Sequence, residues 1–259
     1  MFRFLALLTV LATLAAKVHS QAVFAHVIVG NNAAYTPANW AADIALASSK
    51  GIDAFALNIA PPLAGTVETQ VAMAFSAAEA SGTPFKLFFS FDYEGSGTPW
   101  DTADILTLLT QYAGSGAHFQ QEGKPFVSTF EGPGNSDVEQ WKEIRASLSS
   151  GIYFVPDWTS QGPGYRQDLI DGAFSWNMWP NGAQDMGTEA DEEWMDALTG
   201  GGKNYMMGIS PWFYTDLPAY NKAWVWRGDS MWYDRWQQVS SPNHLYHSST
   251  AQFSCILQC

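Results

Sequence analysis

The chain has 259 residues, 47% of them hydrophobic and 14% charged, which suffices for one substantial core and does not call for two domains. A net charge of −13 argues against nucleic acid as a partner, because phosphate backbones attract basic surfaces. The 12 tryptophans are more than a single core needs, so some are expected to line an open surface.

Met1-Phe2-Arg3 and the apolar run from Phe4 to Ala16 read as a secretory leader over residues 1–20, with small Val18 and Ser20 suiting cleavage after Ser20. The run is too short to span a bilayer comfortably, and no later stretch is long enough, so the expectation is a secreted, extracellular protein without a membrane segment. The 2 cysteines, Cys255 and Cys259, exclude a disulfide framework for the body of the chain and are left as paired or free. Neither sits in a metal-ligand pattern, and His244 and His247 lack further ligands, so no metal and no cofactor are expected.

From Val23 onward, short apolar runs alternate with helical patterns. Strands are predicted over Val23–Gly30, Ile52–Ile59, Lys86–Tyr93, Pro125–Gly132, Gly151–Trp158, Asp171–Trp179 and Asn204–Phe213. Between them, helices are predicted over Trp40–Lys50, Val67–Ala80, Thr102–Tyr112, Val138–Leu148 and Glu189–Leu198, punctuated by Gly and Pro. Regular alternation of this kind builds a parallel sheet with crossover helices, an α/β fold. Seven βα steps suit a (β/α)8 TIM-type barrel better than a Rossmann sheet, and no glycine-rich phosphate loop follows the first strand.

The strands share a second property. A free carboxylate is costly to bury, so Asp92, closing the run Lys86-Leu87-Phe88-Phe89-Ser90-Phe91, belongs where the strand meets solvent or ligand. Glu131 and Asp157 close two other runs in the same way. In a barrel these ends gather on one face. The predicted catalytic residues are therefore Asp92, Asp157 and Glu131, since glycoside hydrolysis needs one carboxyl to protonate the leaving oxygen and a second to attack or to activate water. His26, Asn58, Tyr93, Trp158, Trp176, Asn177, Trp179, Trp212 and Tyr214 are the predicted substrate contacts, because aromatic faces pack on sugar C–H faces. Each also has a plainer reading, Asp92 and Asp157 as turn formers and His26 as a core histidine.

Phe24-Ala25-His26, Val29-Gly30-Asn31, Gly51 to Ile59, Lys86 to Tyr93, Gly208 to Phe213 and Trp226 to Trp236 together resemble glycoside hydrolase family 71, the fungal α-1,3-glucanases or mutanases. The resemblance runs from Val23 to Val239 and implies a polysaccharide substrate, α-1,3-glucan of the cell wall, hydrolysed without cofactor on a barrel core; separately, a monomer is expected. It also implies an eighth strand ending in a Trp-Asn-Asp-x-Gly-Glu-Ser type motif that carries the family's best catalytic candidates. Here Ser240 to Cys259 reads differently, and no Asp or Glu follows Asp234. The expectation is thus a partial barrel over 21–239 with the last strand missing, an unrelated irregular tail over 240–259, and impaired hydrolysis. The alternative is a non-catalytic α-glucan-binding protein or an inactive fragment.

Overall fold

The computed structural model describes residues 22–132, 134–180, 182, 184–210, 213–217, 222–226, 230–240 and 253–258. The predicted leader and Trp212 lie outside them. In chain order the elements are β1 (Ala22–Ile28), α1 (Pro37–Ser49), β2 (Ala54–Ile59), α2 (Thr66–Ala80), β3 (Lys86–Asp92), α3 (Thr102–Tyr112), β4 (Gln120–Gln121), β5 (Lys124–Phe130), α4 (Asn135–Ser147), β6 (Tyr153–Phe154), β7 (Gly172–Ser175), α5 (Glu189–Thr199), β8 (Asn204–Ile209), β9 (Phe213–Leu217), β10 (Lys222–Trp226), α6 (Met231–Ser240) and β11 (Phe253–Gln258).

Local chemistry explains several boundaries. Thr36 and Asn39 close a reciprocal capping box in front of α1, with Pro37 in its first turn, where no N–H is needed. Asp101 caps α3 by accepting from the Ala103 N–H at 2.8 Å. All residues of β2, and all of β3 except Lys86, are buried, the pattern of strands covered on both faces.

The sheet runs β4-β5-β3-β2-β1-β11-β8-β7, with β6 on β5. Isolated parallel bridges from Asp157 to Phe130 and to Phe174 join the two ends through the segment after β6. Apart from β4, which folds back antiparallel on β5, eight parallel strands therefore close a ring. Its interior is filled by Phe24, Ala54, Ala56, Phe88, Phe126, Tyr153, Val155, Phe174 and Met206. The small β2 alanines make room for large neighbours: the Phe24 ring meets Phe88 edge-on at 4.9 Å. The other strand faces, with Leu57, Phe89, Val127 and Phe154, pack under the helices against Val71, Ile105, Trp141 and Leu198.

All seven predicted strands and the five predicted helices are present, so the barrel class holds. The tail departs from expectation. Phe253–Gln258, read as irregular, is β11, parallel to both β1 and β8 and occupying the position expected to lack a strand. Six apolar-leaning residues among Ser and His carry little periodicity of their own; the two flanking strands supply the pairing. The barrel is incomplete in its outer layer instead. The described residues hold six α-helices around eight strands, and a 3-10 turn at Thr159–Gln161 and a loop follow β6 where a helix would stand. A β9–β10 hairpin, not foreseen, forms its own two-stranded sheet.

One ion pair fastens the last turn of the ring. Arg235 of α6 is fully buried and donates to Asp191 Oδ2 of α5 at 2.9 Å, to the Gly187 carbonyl, to Gln238 Oε1 and to the Gly208 carbonyl of β8. Tyr205 of β8 donates its hydroxyl to the other Asp191 oxygen at 2.8 Å. Leaving one member of a buried pair alone is far costlier than replacing both. Arg235→Ala should therefore lower unfolding free energy by about 3–5 kcal/mol in a urea titration.

Candidate functional site

Side chains alternate along a strand, so the residues two apart from the interior phenylalanines and alanines point into the mouth at the strands' C-terminal ends. His26 follows Phe24, Asn58 follows Ala56, Ser90 and Asp92 follow Phe88, Ser128 follows Phe126, and Trp176 follows Phe174. The register makes this a layer. Asn58, Ser90 and Ser128 are successive Cα partners across β2, β3 and β5. One pleat further out, Phe130 is the partner of both Asp92 and Asp157, which puts those two backbones about 10 Å apart, twice the strand spacing.

Trp176 stands at the centre of the mouth. Its ring lies 5.2 Å from His26, 4.7 Å from Phe130, 5.5 Å from Phe174 and 6.4 Å from Trp179. His26 on β1 and Trp176 after β7 thus meet across the barrel. His26 is buried, its Nε2 has no hydrogen-bond partner, and burial lowers its pKa to about 4, so the imidazole is neutral at ordinary pH.

Asp157 is fully buried. Its Oδ1 accepts from the Thr159 N–H at 3.1 Å and from the Thr159 hydroxyl at 2.5 Å, while Oδ2 has no partner. Burial pushes its pKa up to about 8; the Thr159 hydroxyl opposes the rise and nearby Glu131 adds to it. Glu131 is partly exposed and sits in the left-handed region at φ 52°, an uncommon and strained setting for a side chain other than Gly, Asn or Asp. Its carboxylate accepts from Ser160 N–H at 3.1 Å and from Ser160 Oγ at 2.5 Å. Asp92 has a turn-forming role: its Oδ1 accepts from the Glu94 and Gly95 N–H groups at 2.8 and 2.7 Å.

Two predicted contacts are turned away. Trp158 is buried on the outer side against Phe154 and Tyr165, because it follows inward-facing Asp157 by one residue. Tyr93 follows Asp92 likewise; its hydroxyl donates to Gln140 of α4 at 2.8 Å, burial raises its pKa, and its ring lies where any Cβ on Gly132 would fall. Asn177 is half-buried at the end of β7, its N–H donating to Ser175 Oγ. The side chain of Tyr214 lies outside the described residues. Thr159, Ser160 and Phe130 were not singled out in the sequence, although Asp-x-Thr is a recognisable side-chain-to-backbone turn pattern. Among the described residues, no group of three or more His, Cys, Asp or Glu is placed to hold a metal ion.

The titrations set a pH profile. Asp157 has a folded pKa of about 8 against an unfolded value of about 3.9. Its stabilisation is complete below pH about 4 and is lost as pH rises through about 8. His26 and buried His118, both lowered to about 4 from about 6.5, act oppositely: their stabilisation is complete above pH about 6.5 and is lost as pH falls through about 4. These groups together favour maximal stability near pH about 6–7. Asp157→Asn should remove the alkaline decline, read in urea titrations as an unfolding free energy that holds between pH 6 and 9 while the wild type loses about 2–3 kcal/mol.

Residues 19–246 match Glycosyl hydrolase family 71. The chain is 40% identical over 229 residues to glucan endo-1,3-alpha-glucosidase agn1 of Schizosaccharomyces pombe, covering 85% of this chain and 53% of that protein. It is 36% identical over 230 residues to a mutanase of Penicillium rubens, covering 85% and 48%. An ascus wall endo-1,3-alpha-glucanase of S. pombe is 28% identical over 250 residues, covering 91% and 56%. The chain thus spans about half the length of the curated relatives it matches. In structure it is similar to a family GH99 endo-alpha-mannosidase from Bacteroides thetaiotaomicron, at TM-score 0.62 and 13% identity over 85% of this chain and 66% of that one. That likeness concerns the barrel fold alone.

Proposed function

This chain belongs to glycosyl hydrolase family 71, and we propose that it is a glycoside hydrolase whose barrel mouth takes α-1,3-glucan as substrate. The observation that carries the reading is the convergence of His26, Trp176, Trp179, Asp157 and Glu131 from different strands on one rim. A polysaccharide of neutral sugars suits that rim. Trp176 and Trp179 offer aromatic faces for pyranose C–H faces, and the neutral His26 imidazole offers a hydroxyl a partner without a charge to desolvate. Asp157, protonated at neutral pH, is in the state a general acid needs, with Glu131 as the carboxylate beside it. Asp92 shapes the loop after β3. We place the action outside the cell, on the leader-like composition of residues 1–20.

A second reading, glucan binding with little or no hydrolysis, has its own support. Asp157 has no exposed surface, and β11 reads Phe-Ser-Cys-Ile-Leu-Gln, so the eighth barrel position contributes no carboxylate.

Incubation with insoluble α-1,3-glucan separates the two, with new reducing ends and depletion of protein from the supernatant followed in parallel. Hydrolysis should fall by about 100-fold or more in Asp157→Asn and Glu131→Gln. Trp176→Ala should weaken retention on the polymer. Retention without sugar release establishes the binding reading, and neither retention nor release overturns both.

A further inference from the structure

We infer that Thr159 and Ser160 form a single positioning clamp, which fixes the proton-bearing oxygen of Asp157 and turns Glu131 toward it. The inference rests on the reading of that pair as functional, and is argued from hydrogen-bond geometry.

The Thr159 hydroxyl has one proton and is committed at both ends. It donates to Asp157 Oδ1 at 2.5 Å and accepts from the Trp176 N–H at 2.7 Å. The Thr159 N–H donates to the same Oδ1 at 3.1 Å. An oxygen that already accepts two hydrogen bonds is a poor place for a proton. Neutral Asp157 therefore carries its proton on Oδ2, the atom without a partner, and presents a directed O–H donor there. The tie to the Trp176 backbone sets that donor relative to the central indole of the mouth.

The next residue of the same 3-10 turn repeats the arrangement on the second carboxyl. Ser160 gives its N–H and hydroxyl to the two oxygens of Glu131, 29 positions away. Glu131 sits at φ 52° and is followed by Gly132 at φ 82°, where a Cβ would strike the Tyr93 ring. Among the described residues, the hydrogen bonds that hold the Glu131 side chain in that pose come from Ser160. One turn of two consecutive hydroxyl residues thus sets both orientation and separation of the two carboxyls.

The variants are Thr159→Val, Thr159→Ser, Ser160→Ala and, as references, Asp157→Asn and Glu131→Gln. In pH-difference infrared spectra, the protonated-carboxyl band that Asp157→Asn removes should titrate near pH 8 in the wild type. Thr159→Val should raise that midpoint by about one unit, because a donor favouring the carboxylate is gone, and Thr159→Ser should restore it. Ser160→Ala should leave the band unmoved while lowering kcat on α-1,3-glucan by roughly 10-fold with little change in KM. The clamp is overturned if Thr159→Val titrates as wild type and Ser160→Ala turns over as wild type while the reference variants lose activity. If the reference variants keep full activity, the functional reading of the pair fails instead, and the infrared midpoints still decide whether Thr159 directs the proton.

Discussion

Ring closure is the constraint on which the molecule depends. A parallel sheet leaves two edges with unpaired backbone groups unless it comes round on itself. Here β11 lies between β1 and β8, and the segment after β6 bridges β5 to β7. Because every ring strand runs the same way, closing the ring also brings all the strand ends of one kind to one mouth. His26 and Trp176 come from the first and sixth strands of the ring and are far apart in sequence. They touch because the sheet curves fully round between them. The rim is thus a geometric product of closure.

That mouth runs against the rule that buried polar atoms find partners. His26 Nε2 and Asp157 Oδ2 are both buried and unpartnered, and both groups are held in their neutral forms. A protein selected for stability alone would satisfy or replace them. Violations of this kind concentrate where a site must later offer its hydrogen-bonding groups to something else. The strained Glu131 backbone beside them fits the same account.

The barrel was legible because fully buried strands announce themselves as apolar runs cut off by Gly or Pro, and α3 falls on its predicted span, Thr102–Tyr112. The polar tips of the strands were legible for the same reason. What ran together was which side each tip faces. Their position in the sequence puts Asp92 with Tyr93, and Asp157 with Trp158, at the rim together, yet the two-residue period of a strand sends one member of each pair outward. Thr159 and Ser160 were missed because their importance lies in what they bond, 2 and 29 positions away, and nothing in their own composition sets them apart from loop residues. β11 was missed because its conformation comes from the two strands flanking it.

The Arg235 network has a further consequence for how the chain comes apart. A guanidinium keeps its charge at any accessible pH, so α6 cannot lift away without stranding either a cation or the Asp191 anion in a dry interior. Opening of α5, β8 or α6 alone is therefore costly, and the Arg235 and Tyr205 bonds tie these three elements into one cooperative group. A recombinant fragment that parts α5 from α6 would strand one charge of that pair.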